Sequence, residues 1–137
     1  MTQTPQELET FLESWTADPN GAKEAFIRFR DFLLTTPDVR FEFKARPGVS
    51  YSLRAANPKQ SRPLFVLVDV VDDEPEARWL SVCFYADMIN DPDELGDFVP
   101  SGLMGEDACC LNLEEDDAAM RDYILARLGE AAAAAAK

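Results

Sequence analysis

The chain has 137 residues, of which 47% are hydrophobic, a formal net charge of -13 and no histidine. This length and composition fit one globular domain rather than a disordered chain. The lack of histidine excludes Ser-His-Asp and Cys-His catalysis and histidine-ligated zinc, and the acidic charge argues against nucleic acid or an anionic membrane as a partner, because binding to phosphates depends largely on lysine and arginine.

The first third of the chain predicts two helices. Thr4-Pro5-Gln6-Glu7 fits a capping box with proline at the first helical position, and apolar residues follow at helical spacing as far as Trp15. A turn at residues 18–21 separates this helix from a second one, expected over residues 22–34. The N-terminus lacks the pattern of a signal peptide, and no apolar run approaches the ~20 residues of a membrane span. We therefore expect a cytoplasmic protein.

The period of the pattern then changes from helical to alternating. Residues 39–44 and 49–55 alternate apolar with polar side chains around a turn, which predicts a β-hairpin with one buried and one solvent-facing side. Residues 64–71 predict a central strand, 79–85 a fourth strand and 108–113 a fifth, whereas 90–107 look irregular. The hairpin residues expected to face solvent are Arg40, Lys44, Ser50, Ser52 and Arg54.

The C-terminal part predicts one more helix over residues 114–129. Four acidic residues at 114–117 would occupy its first turn, where the helix dipole stabilises them, and Asn112 or Asp116 would cap it. The six alanines of 131–136 have high helix propensity but no evident packing partner, so they would either extend the helix or fray, and we treat 131–137 as a tail beyond a single domain of residues 1–130. The predicted fold is α+β, with two N-terminal helices, a mainly antiparallel sheet of four to five strands and a C-terminal helix packed on one face.

Two parts of the chain carry a likeness to known proteins. The helix-to-hairpin opening and the ending CLNLEEDDAAMRDYILARL, a strand that leads into an acid-capped helix, give a layout over about residues 20–130. This layout resembles small uncharacterised bacterial α+β proteins of the YdhG-like and YjbR-like kind. The resemblance implies a bacterial α+β protein and no particular site residue.

Charge is distributed unevenly along the chain. Residues 23–62 contain nine basic and four acidic side chains, whereas 87–117 contain eleven acidic and no basic ones. Both segments could be ordinary solvated surfaces, or they could give a dipolar molecule that self-associates or docks a protein partner. Arg40, Lys44 and Arg54 are the candidate basic surface, and their alternative role is cross-strand pairing with Glu42.

The acidic segment of residues 87–107 supports two further hypotheses. Its apolar members either pack onto the core or form part of an interface, and they are Phe98, Val99, Leu103 and Met104. Its acids fail the EF-hand pattern at two ligand positions but leave a weak divalent-cation site open, with Asp87, Asp91, Asp93 and Asp97 as candidates. We predict a non-enzymatic protein-interaction module without a cofactor, in the form of a homodimer or with a protein partner. A divalent-cation or small-molecule site in this segment is the first alternative, and an enzyme that uses carboxylates alone is the second.

The three cysteines are predicted to be mainly core residues. Cys83 lies inside a predicted strand, where a small apolar side chain is expected. Cys109 and Cys110 are neighbours on another strand and would point to opposite faces, which does not favour a bond between them. Neither the odd count nor the spacing indicates a disulfide framework or a zinc site.

Overall fold

Three α-helices and six antiparallel strands make up residues 5–137, the part of the chain that this computed structural model describes. The elements are, in chain order, α1 (Gln6–Ser14), α2 (Ala22–Leu34), β1 (Arg40–Arg46), β2 (Ser50–Ala56), β3 (Val66–Val71), β4 (Trp79–Tyr85), a 3₁₀ turn (Ala86–Met88), β5 (Asp97–Leu103), β6 (Glu106–Leu113) and α3 (Ala118–Ala135). The α+β prediction is confirmed. Within these residues no helix has the length and apolarity that crossing a membrane requires.

The sheet has the strand order β1-β2-β3-β4-β6-β5, with every neighbouring pair antiparallel. The prediction of four to five strands was too low, because β5 lies in the segment expected to be irregular. Pro100 and a register shift between Val99 and Leu103 break the alternation that would reveal this strand in the sequence. Ser101 and Met104 also have positive φ angles, of 56° and 51°.

The hydrophobic core lies between one face of the sheet and the three helices. A single apolar row crosses five strands, with each residue directly opposite the next: Phe43, Leu53, Val68, Val82 and Leu111. Apolar residues of all three helices join the same buried cluster, among them Leu8, Phe26, Phe29, Ile124 and Leu128. Burial of this shared surface, at roughly 25 cal/mol per Å², supplies the main driving force for the two-layer arrangement.

The N-terminal helices largely follow the sequence pattern. The second helix has the predicted bounds of residues 22–34. The first begins at Gln6, so Pro5 occupies the N-cap position rather than the first helical position, and no side chain caps it. The Thr4 of the predicted capping box lies outside the described residues. Trp15 follows the helix and is fully buried, and its Nε1 donates to the Ala17 carbonyl at 2.9 Å.

The start of α3 differs from its prediction. The helix begins at Ala118, and the Asp117 carboxylate caps it by accepting a hydrogen bond from the Met120 amide at 3.1 Å. The predicted start at residue 114 and the predicted caps Asn112 and Asp116 were wrong. The physical reason is that β6 continues through Leu113, whose side chain is buried in the core, so the chain needs residues 114–117 to leave the sheet.

The alanine run belongs to the folded domain. Helix α3 continues through Ala135, and Ala131 and Ala135 are fully buried in the core cluster. Of the two possibilities for this run, the structure shows extension of the helix, and the expectation that the alanines have no packing partner was wrong. A methyl group is small enough to let the helix approach the core closely. Because the run consists only of alanine, the sequence contains no periodic pattern of large apolar residues that would reveal this packing.

The cysteines are only partly core residues. Cys83 of β4 and Cys110 of β6 lie directly opposite each other and form a disulfide. The expectation that no disulfide is present was wrong, because it required knowing that β4 pairs with β6 in this register. Cys109 is free and buried, as expected, and it does not bond its neighbour.

Candidate interaction surface

The second face of the sheet carries no α-helix in the described part of the chain. A row of directly opposed polar residues crosses it, namely Lys44, Ser52, Asp69, Ser81 and Asn112. A small apolar cluster packs at one end of this face, and its buried members are Leu64, Tyr85, Leu103 and Ala108. No side chain of α1, α2 or α3 joins this cluster. We call this side of the sheet the helix-free face.

The polar centre of the helix-free face is buried by its own neighbours. Ser52 is only 2% exposed, and its hydroxyl donates a hydrogen bond to the Asp69 carboxylate. Ser50 is also buried and accepts a hydrogen bond from Arg46 Nη2 at 3.1 Å. The prediction that both serines face solvent was therefore wrong. Long flanking side chains cover these short ones, which leaves an ordered polar centre.

Asp69 is the one acid held inside this centre. Burial raises the pKa of its carboxyl group, because removing a carboxylate from water disfavours the charged form. The hydrogen bond from Ser52 and the positive charges of Arg46 and Arg54 act in the opposite direction but do not outweigh the burial. Asp69 therefore costs the fold stability at neutral pH.

Three of the predicted interaction residues meet at one end of the helix-free face. Arg40, Arg54 and Met104 line a cavity of about 400 Å³ together with Phe41, Glu42, Ala56, Pro63 and Leu64. The β5–β6 turn brings Met104 to the strands β1 and β2, although about fifty residues separate them in the chain. These three residues were candidates because of their side chains alone, and no pattern in the sequence indicates that they lie in one cavity.

The basic side chains in this cavity and next to it are incompletely paired. Arg54 Nη1 lies 3.6 Å from Glu42 Oε1, and Lys44 Nζ lies 3.9 Å from the same oxygen, so the predicted cross-strand pairing with Glu42 is present at long distances. Arg54 Nε is buried and makes no hydrogen bond within residues 5–137. A buried donor without an acceptor costs about 1–3 kcal/mol of stability.

The apolar residues of the acidic segment do not form one surface. Met104 is 53% exposed at the β5–β6 turn, and Phe98 is 63% exposed on β5. Phe98 lies opposite Cys109 and Val99 lies opposite Ala108, so these two neighbours point to different faces of the sheet. Leu103 is only 2% exposed inside the small apolar cluster, which removes it from the predicted interface.

Asp87, the first of the predicted cation ligands, is held by an arginine. The Arg62 guanidinium donates two hydrogen bonds to the Asp87 carboxylate, at 2.8 and 2.9 Å, and two more to Glu106. The hydrogen bonds from Arg62 lower the pKa of Asp87. Arg62 also stacks over the Tyr85 ring at 4.2 Å. These contacts tie the 3₁₀ turn to β6 and explain the acid without a cation.

Asp91, the second, accepts hydrogen bonds from its own loop. Its carboxylate accepts from the Leu95 amide at 3.0 Å, from the Gly96 amide at 2.8 Å and from the Tyr123 hydroxyl of α3. Burial acts to raise the pKa of Asp91, but these three hydrogen bonds together outweigh it, and the pKa is lowered. Asp91 thus fixes the loop between the 3₁₀ turn and β5.

The remaining candidates, Asp93 and Asp97, are not brought into a shared ligand set with the first two. Asp93 uses its backbone amide to donate to Tyr123, and Asp97 lies opposite Cys110 on β5. Within residues 5–137 no group of three or more histidine, cysteine, aspartate or glutamate side chains is arranged to hold a metal ion. No observation favours the cation alternative over the interaction surface.

A second concave surface was missed by sequence analysis. A groove of about 350 Å³ runs between α1 and β1, and its apolar floor consists of Phe11, Phe43, Ala45 and Tyr51. The Phe11 and Tyr51 rings are stacked with 4.0 Å between their centroids. The only sequence signal was the apolar side of the hairpin, which indicates burial but not that α1 leaves the outer part of this side uncovered.

No protein-family model matches this chain, and no curated protein or solved structure matches it either. No family is shown. The resemblance to YdhG-like and YjbR-like proteins therefore stays a prediction.

Proposed function

We propose that this protein is a non-enzymatic interaction module that binds an acidic partner protein at the β1–β2 end of its helix-free face. The observation that carries the proposal is the cavity lined by Arg40 and Arg54, in which Glu42 is the only acidic lining residue and approaches Arg54 Nη1 only to 3.6 Å. Arginine presents a planar fork of donors that matches a carboxylate, so an aspartate or glutamate side chain is the ligand that fits this cavity best.

The surroundings of the cavity suit a protein better than a small free acid. Met104 stands exposed at its rim, and arginine and methionine are both enriched in the centres of protein interfaces. On the same face Lys44 is exposed and offers a further hydrogen-bond donor. An incoming protein surface would cover both, whereas a free carboxylate would contact only the cavity.

Charge also selects the partner. The helix-free side of β1 and β2 carries Arg40, Lys44, Arg46 and Arg54 against the single acid Glu42. The net charge of the whole chain is -13, but at physiological ionic strength charges beyond about 8 Å are largely screened, so the local excess of positive charge governs docking. We accordingly propose a protein partner, not nucleic acid or membrane.

The experiment is a selection of random peptides displayed on phage against the purified protein, followed by measurement of the affinity of the enriched peptides. We expect the peptides to be enriched in aspartate and glutamate, and to bind the Arg54→Glu variant at least tenfold more weakly. The matched control is Arg28→Glu, the same charge reversal on the exposed side of α2, which should leave affinity unchanged. Peptides without an acidic bias, or equal affinity for both variants, would refute the proposal.

Self-association is the other form of the same activity. Native mass spectrometry over a concentration series measures it directly. A dimer that Arg54→Glu dissolves and Arg28→Glu preserves would make a second copy the acidic partner, through its own residues 87–117. A monomer at all concentrations leaves a different protein as the partner.

The proposed cytoplasmic location has its own test. Disulfides persist mainly in oxidising compartments, so the Cys83–Cys110 bond argues against a reducing cytoplasm. Thiols can be counted by lysing the native cells in denaturant with an alkylating agent, so that buried thiols such as Cys109 also react. Three alkylated cysteines support the cytoplasm, and one alkylated cysteine places the protein in an oxidising compartment.

A further inference from the structure

We propose that β1 is an open sheet edge that receives an extended acidic segment of the partner as an additional strand. This inference rests on the proposed function and specifies the conformation and sequence pattern of what is bound. Its grounds are three independent features of the described residues: the regularity of the β1 edge, the groove beside it and the charge on its other side.

The two edges of the sheet are built differently. The β5 edge contains Pro100, a register shift and a residue with positive φ, Ser101, features that prevent pairing with another strand. By contrast, β1 pairs with β2 in unbroken register over all seven residues, Arg40–Arg46. Within residues 5–137 no segment pairs with its outer side. Alternate residues of β1 therefore direct their backbone N–H and C=O groups outward, where an extended chain can bond to them.

The groove between α1 and β1 lies where alternate side chains of an added strand would point. Phe43 and Ala45 of β1 line it together with Tyr51 and Phe11. Side chains of a strand alternate between the two faces of a sheet, so every second residue of the added strand would face this apolar floor. The groove thus favours a segment with apolar residues at every second position.

The intervening positions of the added strand would lie beside the basic residues of β1. Arg40, Lys44 and Arg46 occupy the helix-free side of this strand, with Glu42 as the only acid. Directly opposed like charges destabilise a strand pair and opposite charges stabilise it. Acidic residues are therefore favoured at these positions, and the β1 strand of a second copy is disfavoured because most of its charges are positive. The expected ligand is an extended segment of about seven residues in which apolar and acidic side chains alternate.

The direct test uses a ten-residue peptide in which glutamate and valine alternate. One control peptide has the same composition in the order Glu-Glu-Val-Val, and the other alternates lysine with valine. We expect the alternating acidic peptide to bind at least tenfold more tightly than either control, because only its pattern matches both sides of β1. Affinities can be measured by fluorescence anisotropy on the full chain.

Two variants separate the groove from the charge. Lys44→Glu should weaken binding of the alternating acidic peptide about tenfold, with Arg28→Glu as the matched control. Ala45→Gln places a larger side chain in the groove, at an exposed position and without a change of charge. It should also weaken binding about tenfold. Ala133→Gln on the exposed side of α3 is its control. Melting temperatures confirm that all four variants are folded.

The decisive readout is amide hydrogen exchange of β1, measured residue by residue by NMR. In the free protein one alternate set of β1 amides is protected by bonds to β2, and the other set should exchange quickly. Strand addition must slow the second set, whereas docking on the helix-free face alone leaves it fast. If the alternating and the Glu-Glu-Val-Val peptides both bind without this protection, strand addition is refuted and the proposed function stands. If no acidic peptide binds, both proposals fail, and the charges of β1 serve only to keep its edge from aggregating.

Discussion

Leu103 and Met104 are neighbours that sequence analysis assigned to one interface, and the structure predicts opposite consequences when each is replaced by alanine. Leu103 is packed with Leu64, Tyr85 and Ala108, whereas Met104 is exposed at the mouth of the cavity. Leu103→Ala should therefore lower the free energy of unfolding, and Met104→Ala should lower the affinity for a partner while leaving stability nearly unchanged.

The magnitude follows from the size of the cluster around Leu103. Replacing a buried leucine by alanine costs about 2–5 kcal/mol, and the loss grows with the cavity that remains. This cluster has four buried members and lies near the β5–β6 turn, where the chain can partly collapse, so we expect about 2–3 kcal/mol. For a domain of this size, roughly 4 °C of melting temperature is lost per kcal/mol, which gives a decrease of about 8–12 °C. Met104→Ala, at an exposed position, should stay within about 0.5 kcal/mol of the unsubstituted protein.

Urea denaturation followed by tryptophan fluorescence measures both free energies, and calorimetry gives the melting temperatures. Affinity is measured with the acidic peptides from the phage selection. Equal stability of the two variants would contradict the assignment of Leu103 to the interior. A destabilised Met104→Ala variant would contradict the assignment of Met104 to the surface, and with it the cavity that supports the proposed function.

Three further predictions concern the alanine run and two titrating groups. Ala131→Glu should lower the free energy of unfolding, measured in urea, by at least about 3 kcal/mol, because it buries a carboxylate and overpacks the core. Ala133→Glu, on the exposed side of the same helix, should cost less than about 0.5 kcal/mol. Equal costs would mean that the alanine run does not pack against the core. The lowered pKa of Asp91 means that its ionised form stabilises the fold above about pH 4. The difference in the free energy of unfolding between the unsubstituted protein and Tyr123→Phe should therefore be complete at pH 7 and shrink as the pH falls below about 4. A difference that stays constant with pH would refute this. The raised pKa of Asp69 has the opposite effect, because its ionised form destabilises the fold at pH 7. Asp69→Asn should therefore raise the free energy of unfolding at pH 7, and this gain should disappear as the pH falls through the raised pKa toward about 4. A loss of stability at pH 7 would contradict this expectation.

The elements that sequence analysis located correctly share one property, a periodic pattern of large apolar side chains. The helix at residues 22–34 and the hairpin at 39–55 have such patterns, and the structure places both close to their predicted bounds. Strand β5 and the packing of the last turns of α3 were missed, because proline and glycine interrupt the strand and alanine alone builds the end of the helix. Hydrophobic periodicity gives no signal in either case.

The candidate site shows the same division. Arg40 and Arg54 were chosen for charge and Met104 as an apolar residue in an acidic segment, and only the fold brings them to one cavity. Asp87 and Asp91 were chosen for their spacing along the chain, but Arg62 and Tyr123, which are distant in sequence, hold them instead of a cation. A sequence displays which groups are present, whereas the partners of each group depend on contacts between distant segments.

The sequence by itself determined the fold class, because apolar periodicity and turn residues act locally and can be recognised within a few residues. It also excluded histidine chemistry through composition alone. Only the tertiary structure decided the strand order, the Cys83–Cys110 pairing, the burial of the alanine run and the open edge of β1. Each of these depends on which strands are neighbours and in what register they pair. The packing of the whole sheet against its helices determines both, and no single segment of the sequence does so.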